Sequence, residues 1–190
     1  YDPQAGQIVI DEQVIEACNR HSVRRHMAIV LQDPYLFTGT IATNISMGDP
    51  AISDDMVTDA LEKVGAGYLI GRYDQGIHHP VVEKGNEFSS GERQLISFAR
   101  ALVFDPKILI LDEATSHVDT ETEAIIQKAM QVLQKGRTTF MIAHRLSTIK
   151  EADQILVLDK GRIVEQGNHH SLLQQAGIYQ QMYQMQAEQL

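Results

Sequence analysis

Several residues that could do chemistry stand directly after short apolar runs of the sequence. Gln32, Asp112, Glu113 and His144 each lie at or next to the end of such a run, of which residues 108–111 are the clearest. Unbroken apolar runs are typical of buried strands in a parallel sheet. Because open α/β sheets bind ligands outside the carboxyl ends of their strands, we expect these side chains to share one site.

The acidic pair Asp112 and Glu113 fits phosphate chemistry. In P-loop ATPases an acid at the end of such a strand helps to hold Mg²⁺, and a neighbouring carboxylate can polarise the attacking water. For this pair alone, a strand that ends at a solvated turn is an equally good interpretation. Gln32 could ligate a metal or orient a water, and His144 could donate to a phosphate. A single Gln or His is more often satisfied by solvent or by its neighbours.

The segment Phe88-Ser89-Ser90-Gly91-Glu92 predicts the start of a helix. Ser89 and Glu92 have the spacing of a capping box, in which each side chain accepts from the backbone N–H of the other. A serine hydroxyl and free N–H groups at a helix N-terminus also make an anion site suited to a phosphate. The structural and the functional interpretation are compatible.

The apolar pattern also predicts the elements that position these residues. Strands are predicted at residues 27–31, 108–111, 139–143, 155–158 and 163–164. The last two form a hairpin whose turn contains Gly161. A helix is predicted after Ser53, with an apolar face of Met56, Val57, Ala60, Leu61 and Val64. A second helix is predicted after Asp119, where Thr120 and Glu123 fit a capping box. Its apolar stripe before Gly136 comprises Ile125, Ile126, Ala129, Met130 and Leu133.

This pattern predicts an α/β protein with a helical insertion. We assign residues 1–32 and 104–168 to the α/β core, because they contain the apolar strands. Residues 33–103 contain no convincing apolar strand and are assigned to a helical subdomain that carries the segment at 88–92. Residues 169–190 form a C-terminal helical segment with an apolar stripe of Leu172, Leu173, Ile178, Met182 and Met185.

Composition excludes several classes of protein. The 190 residues are 43% hydrophobic and 22% charged, which is ordinary for a soluble globular protein and excludes disordered and collagen-like chains. The net charge of −9 argues against a nucleic-acid partner. A single cysteine, Cys18, excludes an intramolecular disulfide. No apolar run approaches the roughly 18 residues of a membrane span.

In combination, these residues resemble the nucleotide-binding domain of ABC transporters. The match rests on the order and spacing of Gln32, the segment at 88–92, the strand and acids at 108–113, the residues at 116–119 and His144. The stretches at 32–41 and 143–148 are similar to the exporter branch, whose multidrug and lipid half-transporters join a membrane domain to this ATPase. The resemblance implies a P-loop NTPase-like, mostly parallel sheet with a helical subdomain.

The resemblance implies ATP and Mg²⁺ as cofactors and a role for each matching residue. Gln32 would contact Mg²⁺ or water and couple to the membrane domain. The signature residues Ser89, Ser90, Gly91 and Glu92 would face the ATP bound on a second ATPase subunit of a head-to-tail dimer. Ser89 and Gly91 would contact its γ-phosphate.

The remaining roles concern the acids and the histidine. Asp112 would be the Mg²⁺-linked acid, Glu113 the catalytic base and His144 the switch histidine. Asp119 would lie at the dimer interface, and Glu83 resembles the loop that touches the coupling helices of the membrane domain.

The signature departs from the family pattern, which usually reads Leu-Ser-Gly-Gly-Gln. Its third place is Ser90 and its fifth is Glu92, so we expect extra bulk and a carboxylate near the anion. Exporters that pair two unlike subunits often carry one altered site. The departure therefore favours a heterodimer.

The sequence contains no Gly-x-x-x-x-Gly-Lys-Ser/Thr phosphate loop. The resemblance places Tyr1 shortly after the helix that follows that loop, so we expect the chain to be a piece of a longer protein. We expect this fragment to be inactive on its own, since phosphate positioning is the main catalytic resource in phosphoryl transfer. The full-length protein would export a drug-like or lipid substrate from the cytoplasmic face of the cell membrane.

Two alternatives remain open. A DNA- or chromosome-associated ABC-type ATPase shares the same motifs, but it predicts long heptad repeats and a basic surface that this sequence does not have. A non-catalytic remnant would keep the dimer and coupling surfaces alone. The coding sequence upstream of Tyr1 separates these hypotheses, because a phosphate loop preceded by about six hydrophobic spans indicates an exporter.

Overall fold

The computed structural model describes residues 3–112, 120–142 and 149–187. They divide into two compact units, Tyr1–Ile142 and Ala143–Leu190. The first unit contains, in chain order, β1 (Val9–Ile10), β2 (Gln13–Val14), α1 (Arg20–Arg25), β3 (Met27–Val30), β4 (Gly39–Thr40), α2 (Ile41–Ser46), α3 (Asp54–Lys63), α4 (Tyr68–Arg72), β5 (Pro80–Val81), α5 (Ser90–Val103), β6 (Ile108–Asp112), α6 (Thr120–Gln134) and β7 (Thr138–Ile142). Short 3₁₀ turns lie at Ile15–Ala17, Gly76–His78 and Glu83–Gly85.

The centre of this unit is a parallel sheet in the order β3-β6-β7. Val30 pairs with Leu111, and Asp112 pairs with Ile142. The three strands predicted from apolar runs are therefore confirmed, and so is their parallel arrangement. Because the strands run in one direction, their carboxyl ends lie at the same edge of the sheet.

One hydrophobic core joins the sheet to the helices of the predicted insertion. Leu109 from β6 and Leu95, Ile96 and Phe98 from α5 are all at most 1% exposed and belong to the same cluster. Residues 33–103 are mainly helical, and their only strands among the described residues are the two-residue pair β4 and β5. The subdomain boundary at 33–103 stays a prediction.

Helix α3 begins where the sequence predicts. The Ser53 hydroxyl accepts from the backbone N–H of Met56 at 3.3 Å, and Val57, Ala60 and Leu61 are buried. Met56, predicted on the apolar face, is 41% exposed. The buried face is centred on the residues after it, since successive helical positions are about 100° apart.

Helix α6 buries the predicted apolar stripe except for Ile125, which is partly buried. Ile126, Ala129, Met130 and Leu133 are at most 4% exposed, and Gly136 follows the helix with a φ of +74°. The N-cap of this helix lies outside the described residues.

The second unit contains β8 (Ile155–Asp159), β9 (Arg162–Gly167), α7 (His169–Gln174) and α8 (Ile178–Ala187). Strands β8 and β9 form the predicted antiparallel hairpin, and Lys160 and Gly161 in its turn have φ values of +47° and +76°. These positive φ values are those of a type I′ turn, for which glycine is favoured.

The predicted C-terminal helical segment consists of two helices, α7 and α8. Leu172 is buried as predicted, but Met182 and Met185 are 56% and 65% exposed, and Tyr179 is buried in their place. The chain turns at Ala176, which has a φ of +53°. Helix α8 therefore buries a different face from the one that a continuous helix would bury. Among the described residues, no helix has the length and hydrophobicity of a membrane span.

Candidate functional site

The N-terminus of α5 is the best-defined part of the candidate site. The Ser89 side chain accepts from the backbone N–H of Glu92 at 3.2 Å, and a Glu92 carboxylate oxygen accepts from the backbone N–H of Ser89 at 2.8 Å. The capping box predicted from the sequence is therefore confirmed. It holds the first turn of α5 in one conformation.

The first turn of α5 carries groups that can bind an anion. The side chains of Ser89 and Ser90 are exposed, and the N–H groups of Ser90 and Gly91 have no acceptor among the residues that the structure describes. Free N–H groups and hydroxyls at the positive end of a helix are suited to a phosphate. This is the chemistry that the sequence predicts for the segment.

Glu92 does not present its charge to this surface. Glu92 is 7% exposed, and its carboxylate forms an ion pair with the Arg72 guanidinium of α4. The expectation of a carboxylate near the anion is thus modified, because the charge is turned inward and paired. Sequence reasoning missed Arg72, which has no motif of its own and lies 20 residues before its partner.

Phe88, the residue before the capping box, is held by contacts of its ring and by a hydrogen bond to its carbonyl oxygen. The ring is buried and meets Tyr73 edge-on at 5.8 Å between centroids, and Tyr73 stacks on His79 at 3.7 Å. The Phe88 carbonyl oxygen accepts from the Arg93 guanidinium at 2.6 Å. These contacts hold the chain rigidly where it enters α5.

Gln32 and Asp112 lie at the carboxyl edge of the sheet. Asp112 is the last residue of β6, and the exposed Gln32 follows the neighbouring strand β3 by two residues. A carboxylate and an amide supply the oxygen donors that Mg²⁺ prefers, so these residues fit the predicted metal. No hydrogen bond or ion pair joins them to Ser89 within the described residues.

The loop after Gln32 is held by a buried amide. Asn44 of α2 accepts from the Phe37 backbone N–H at 2.7 Å and donates to the carbonyl oxygens of Phe37 and Thr40 at 2.7 and 3.0 Å. The Arg100 guanidinium of α5 donates to the Asn44 carbonyl oxygen at 2.7 Å and to that of Tyr35 at 3.1 Å. Burial lowers the pKa of Arg100 from its ordinary value. Sequence reasoning missed this network.

A second contact joins the same loop to the segment before α5. Leu36 is fully buried and packs against Gly85, whose φ is +70°. A Cβ at Gly85 would lie 2.7 Å from Leu36 Cδ1, so the close approach requires glycine. Glu83, two residues before Gly85, begins the 3₁₀ turn Glu83–Gly85, and its contact with a membrane domain stays a prediction.

The other predicted site residues, Glu113, Asp119 and His144, lie outside the described residues. Their predicted meeting with Gln32 and Asp112 stays a prediction.

Comparisons with known proteins agree on one family. A profile of the ABC transporter family matches residues 1–116. The probable multidrug resistance ABC transporter ATP-binding/permease protein YheH of Bacillus subtilis is 60% identical over 186 residues, which are 98% of this chain and 28% of that protein. The ATP-dependent lipid A-core flippase of Saccharophagus degradans is 48% identical over 183 residues, 96% of this chain and 31% of the flippase.

The structural comparison leads to the same branch. A bacterial Atm1-family ABC exporter with ATP bound superposes with a TM-score of 0.88 at 44% identity, over 98% of this chain and 33% of the exporter. The chain thus spans about a third or less of the length of these relatives.

Proposed function

The chain belongs to the ABC transporter family, and from this premise we propose that it is the ATP-binding and ATP-hydrolysing part of an exporter. The transported compound would be a drug-like molecule or a lipid. The observation that carries the proposal is the likeness over 98% of the chain to an exporter with ATP bound. The names of the multidrug and lipid A-core relatives support the substrate class.

We propose that the module works in a head-to-tail pair beneath a transmembrane domain. The N-terminus of α5 carries anion-binding groups but forms no hydrogen bond or ion pair with Gln32 or Asp112 among the described residues. The free anion-binding groups support a site completed by a second ATPase module, in which Ser89, Ser90 and Gly91 face the partner's ATP. The altered signature favours a heterodimer, and a homodimer with two equally active sites would contradict it.

Each remaining residue has a proposed role at the nucleotide. Asp112 and Gln32 would hold Mg²⁺, which supplies charge neutralisation to the phosphates when bound. Glu113 would accept the proton of the attacking water, and His144 would donate to a phosphate oxygen. Asp119 would lie at the contact between the two modules.

The test is Glu113→Gln in the full-length protein. An amide keeps the size of the carboxylate but cannot accept the proton, so ATP hydrolysis should fall by roughly a hundredfold or more while ATP binding persists. Hydrolysis is measured as phosphate release, and binding as retention of labelled nucleotide. The full-length protein is required because the 190 residues contain no Gly-x-x-x-x-Gly-Lys-Ser/Thr sequence.

Glu121→Gln, at the second residue of α6, is the matched control and should leave both quantities unchanged. Normal turnover in Glu113→Gln would remove Glu113 from its proposed role.

A further inference from the structure

The capping box of α5 contains a charged residue, Glu92, whose charge is neutralised by Arg72 of α4. Glu92 bonds to the Ser89 backbone N–H through one carboxylate oxygen and to Arg72 through the other. The Glu92 side chain is 9% exposed and that of Arg72 is 49% exposed. The ion pair therefore lies at the edge of the core, directly behind the first turn of α5.

Arg72 has a position that does not depend on Glu92 alone. Its guanidinium carbon lies 5.4 Å from the centre of the Tyr73 ring, and Tyr73 is itself fixed by the stack with His79 and the contact with Phe88. A guanidinium above an aromatic ring is attracted to its negative face. Tyr73 thus helps to hold the Arg72 guanidinium in place independently of the Glu92 carboxylate.

The charge of Glu92 has a consequence for any phosphate at this helix end. The N-terminus of a helix attracts one negative charge through its free N–H groups and its dipole. An unpaired Glu92 carboxylate would neutralise the partial positive charge of the helix end and would also repel a phosphate beside Ser89. The Arg72 charge cancels that of Glu92, so the helix end keeps its attraction for a phosphate.

We propose that Arg72 is a positioning residue for nucleotide binding, which acts through Glu92 on the phosphate site of α5. The inference rests on the proposed function, since it assumes that Ser89 and Gly91 face the phosphate of ATP. Arg72 itself would not contact the nucleotide. It compensates for the carboxylate that stands where the family pattern has glutamine.

The test compares the KM for ATP of three variants of the full-length protein. Arg72→Met leaves a buried carboxylate unpaired and should raise KM roughly three- to tenfold, with a much smaller change in kcat. Glu92→Gln keeps the acceptor for the Ser89 N–H and removes the negative charge, so KM should not rise. The double variant R72M/E92Q should return KM to within about twofold of wild type.

A merely structural role gives the opposite pattern. If Arg72 only tethered α4 to α5, the double variant would be at least as impaired as Arg72→Met, and Glu92→Gln would also raise KM. Either result overturns the proposal. If Arg72→Met cannot be isolated as assembled protein, the double variant decides: a wild-type KM supports the inference and a raised KM overturns it.

Two further variants distinguish failure of this inference from failure of the proposed function. Lys63→Met removes the exposed ion pair with Asp59 on α3, whose side chains are 56% and 59% exposed, and should leave KM unchanged. Ser89→Ala tests the site itself. If Ser89→Ala leaves ATP turnover unaltered, the proposed function of the signature is wrong. If it impairs turnover while Arg72→Met has the wild-type KM, only the present inference fails.

Discussion

The Asn44 side chain joins three parts of the first unit through hydrogen bonds. It accepts from and donates to the backbone of Phe37, and it also accepts from the Arg100 guanidinium at 3.3 Å. The residue is 1% exposed, so no solvent can replace these partners. Such a network holds the loop after Gln32 against α2 and α5, because each lost bond would leave a buried polar group unpaired.

Asn44→Ala should therefore be strongly destabilising. The substitution leaves the N–H and carbonyl of Phe37 without their partner and removes one acceptor from the partly buried Arg100, which should lower the free energy of unfolding by about 2 to 4 kcal/mol. Urea unfolding followed by circular dichroism measures the change. Asn86→Ala, at an exposed loop position, is the control and should change stability by less than about 0.5 kcal/mol. Equal stability of the two variants would refute this account of the network.

At the scale of elements, two loops determine the surroundings of the site. The loop between β3 and β4 contains Leu36, and the segment between β5 and α5 contains Gly85. Their contact is tight enough to exclude a methyl group at Gly85. The segment that follows Gln32 and the segment that precedes Ser89 are consequently packed against each other, although no motif connects them.

Gly85→Ala should loosen this contact. A φ of +70° is unfavourable for a residue with a Cβ, and the added methyl would displace Leu36. We expect the free energy of unfolding to fall by about 2 to 3 kcal/mol. The measurement is again urea unfolding.

The matched control for this element is Gly71→Ala. Gly71 lies inside α4 with open space around its Cβ position, so alanine should be neutral or stabilising by up to about 1 kcal/mol. If Gly85→Ala behaved in the same way, the packing of the two loops would not require a glycine.

At the scale of the whole molecule, the two units have separate hydrophobic cores. The core of the second unit is small, with Val157, Leu172 and Tyr179 as its buried residues among those described. The hydroxyl of Tyr179 lies 2.7 Å from His169 Nδ1. Burial, together with the nearby charges of His170 and Lys150, lowers the pKa of His169 below its ordinary value.

This shift makes the stability of the second unit depend on pH. Below a pH of about 6.5 the unfolded chain protonates His169 while the folded unit still holds it neutral. The unfolded state then binds more protons, so stability is lost as the pH falls through about 6.5, the ordinary histidine value. Hydrogen exchange of the α7 and α8 amides, corrected for intrinsic rates, measures this loss. His169→Gln should reduce it, and an identical loss in wild type and variant would contradict the argument.

Several features of this protein follow from local sequence alone. The strands β3, β6 and β7 were predictable because a short apolar run bounded by polar residues is typical of a buried strand. The Ser89–Glu92 capping box and the start of α3 at Ser53 were predictable because they depend on a spacing of three residues. The match to one family likewise depends on motifs that are contiguous in the chain.

The contacts that hold the candidate site together depend on the folded chain. Arg72 and Glu92 are 20 residues apart, and Asn44 and Arg100 are 56 residues apart. No periodicity links such pairs, because they meet only when two elements pack and bring their side chains into one low-dielectric region. The same packing turned the Glu92 carboxylate inward, whereas its position in the sequence predicted a charge facing the anion. Local patterns thus specify where elements begin and what chemistry they carry, and packing between elements specifies which charges remain available to a ligand.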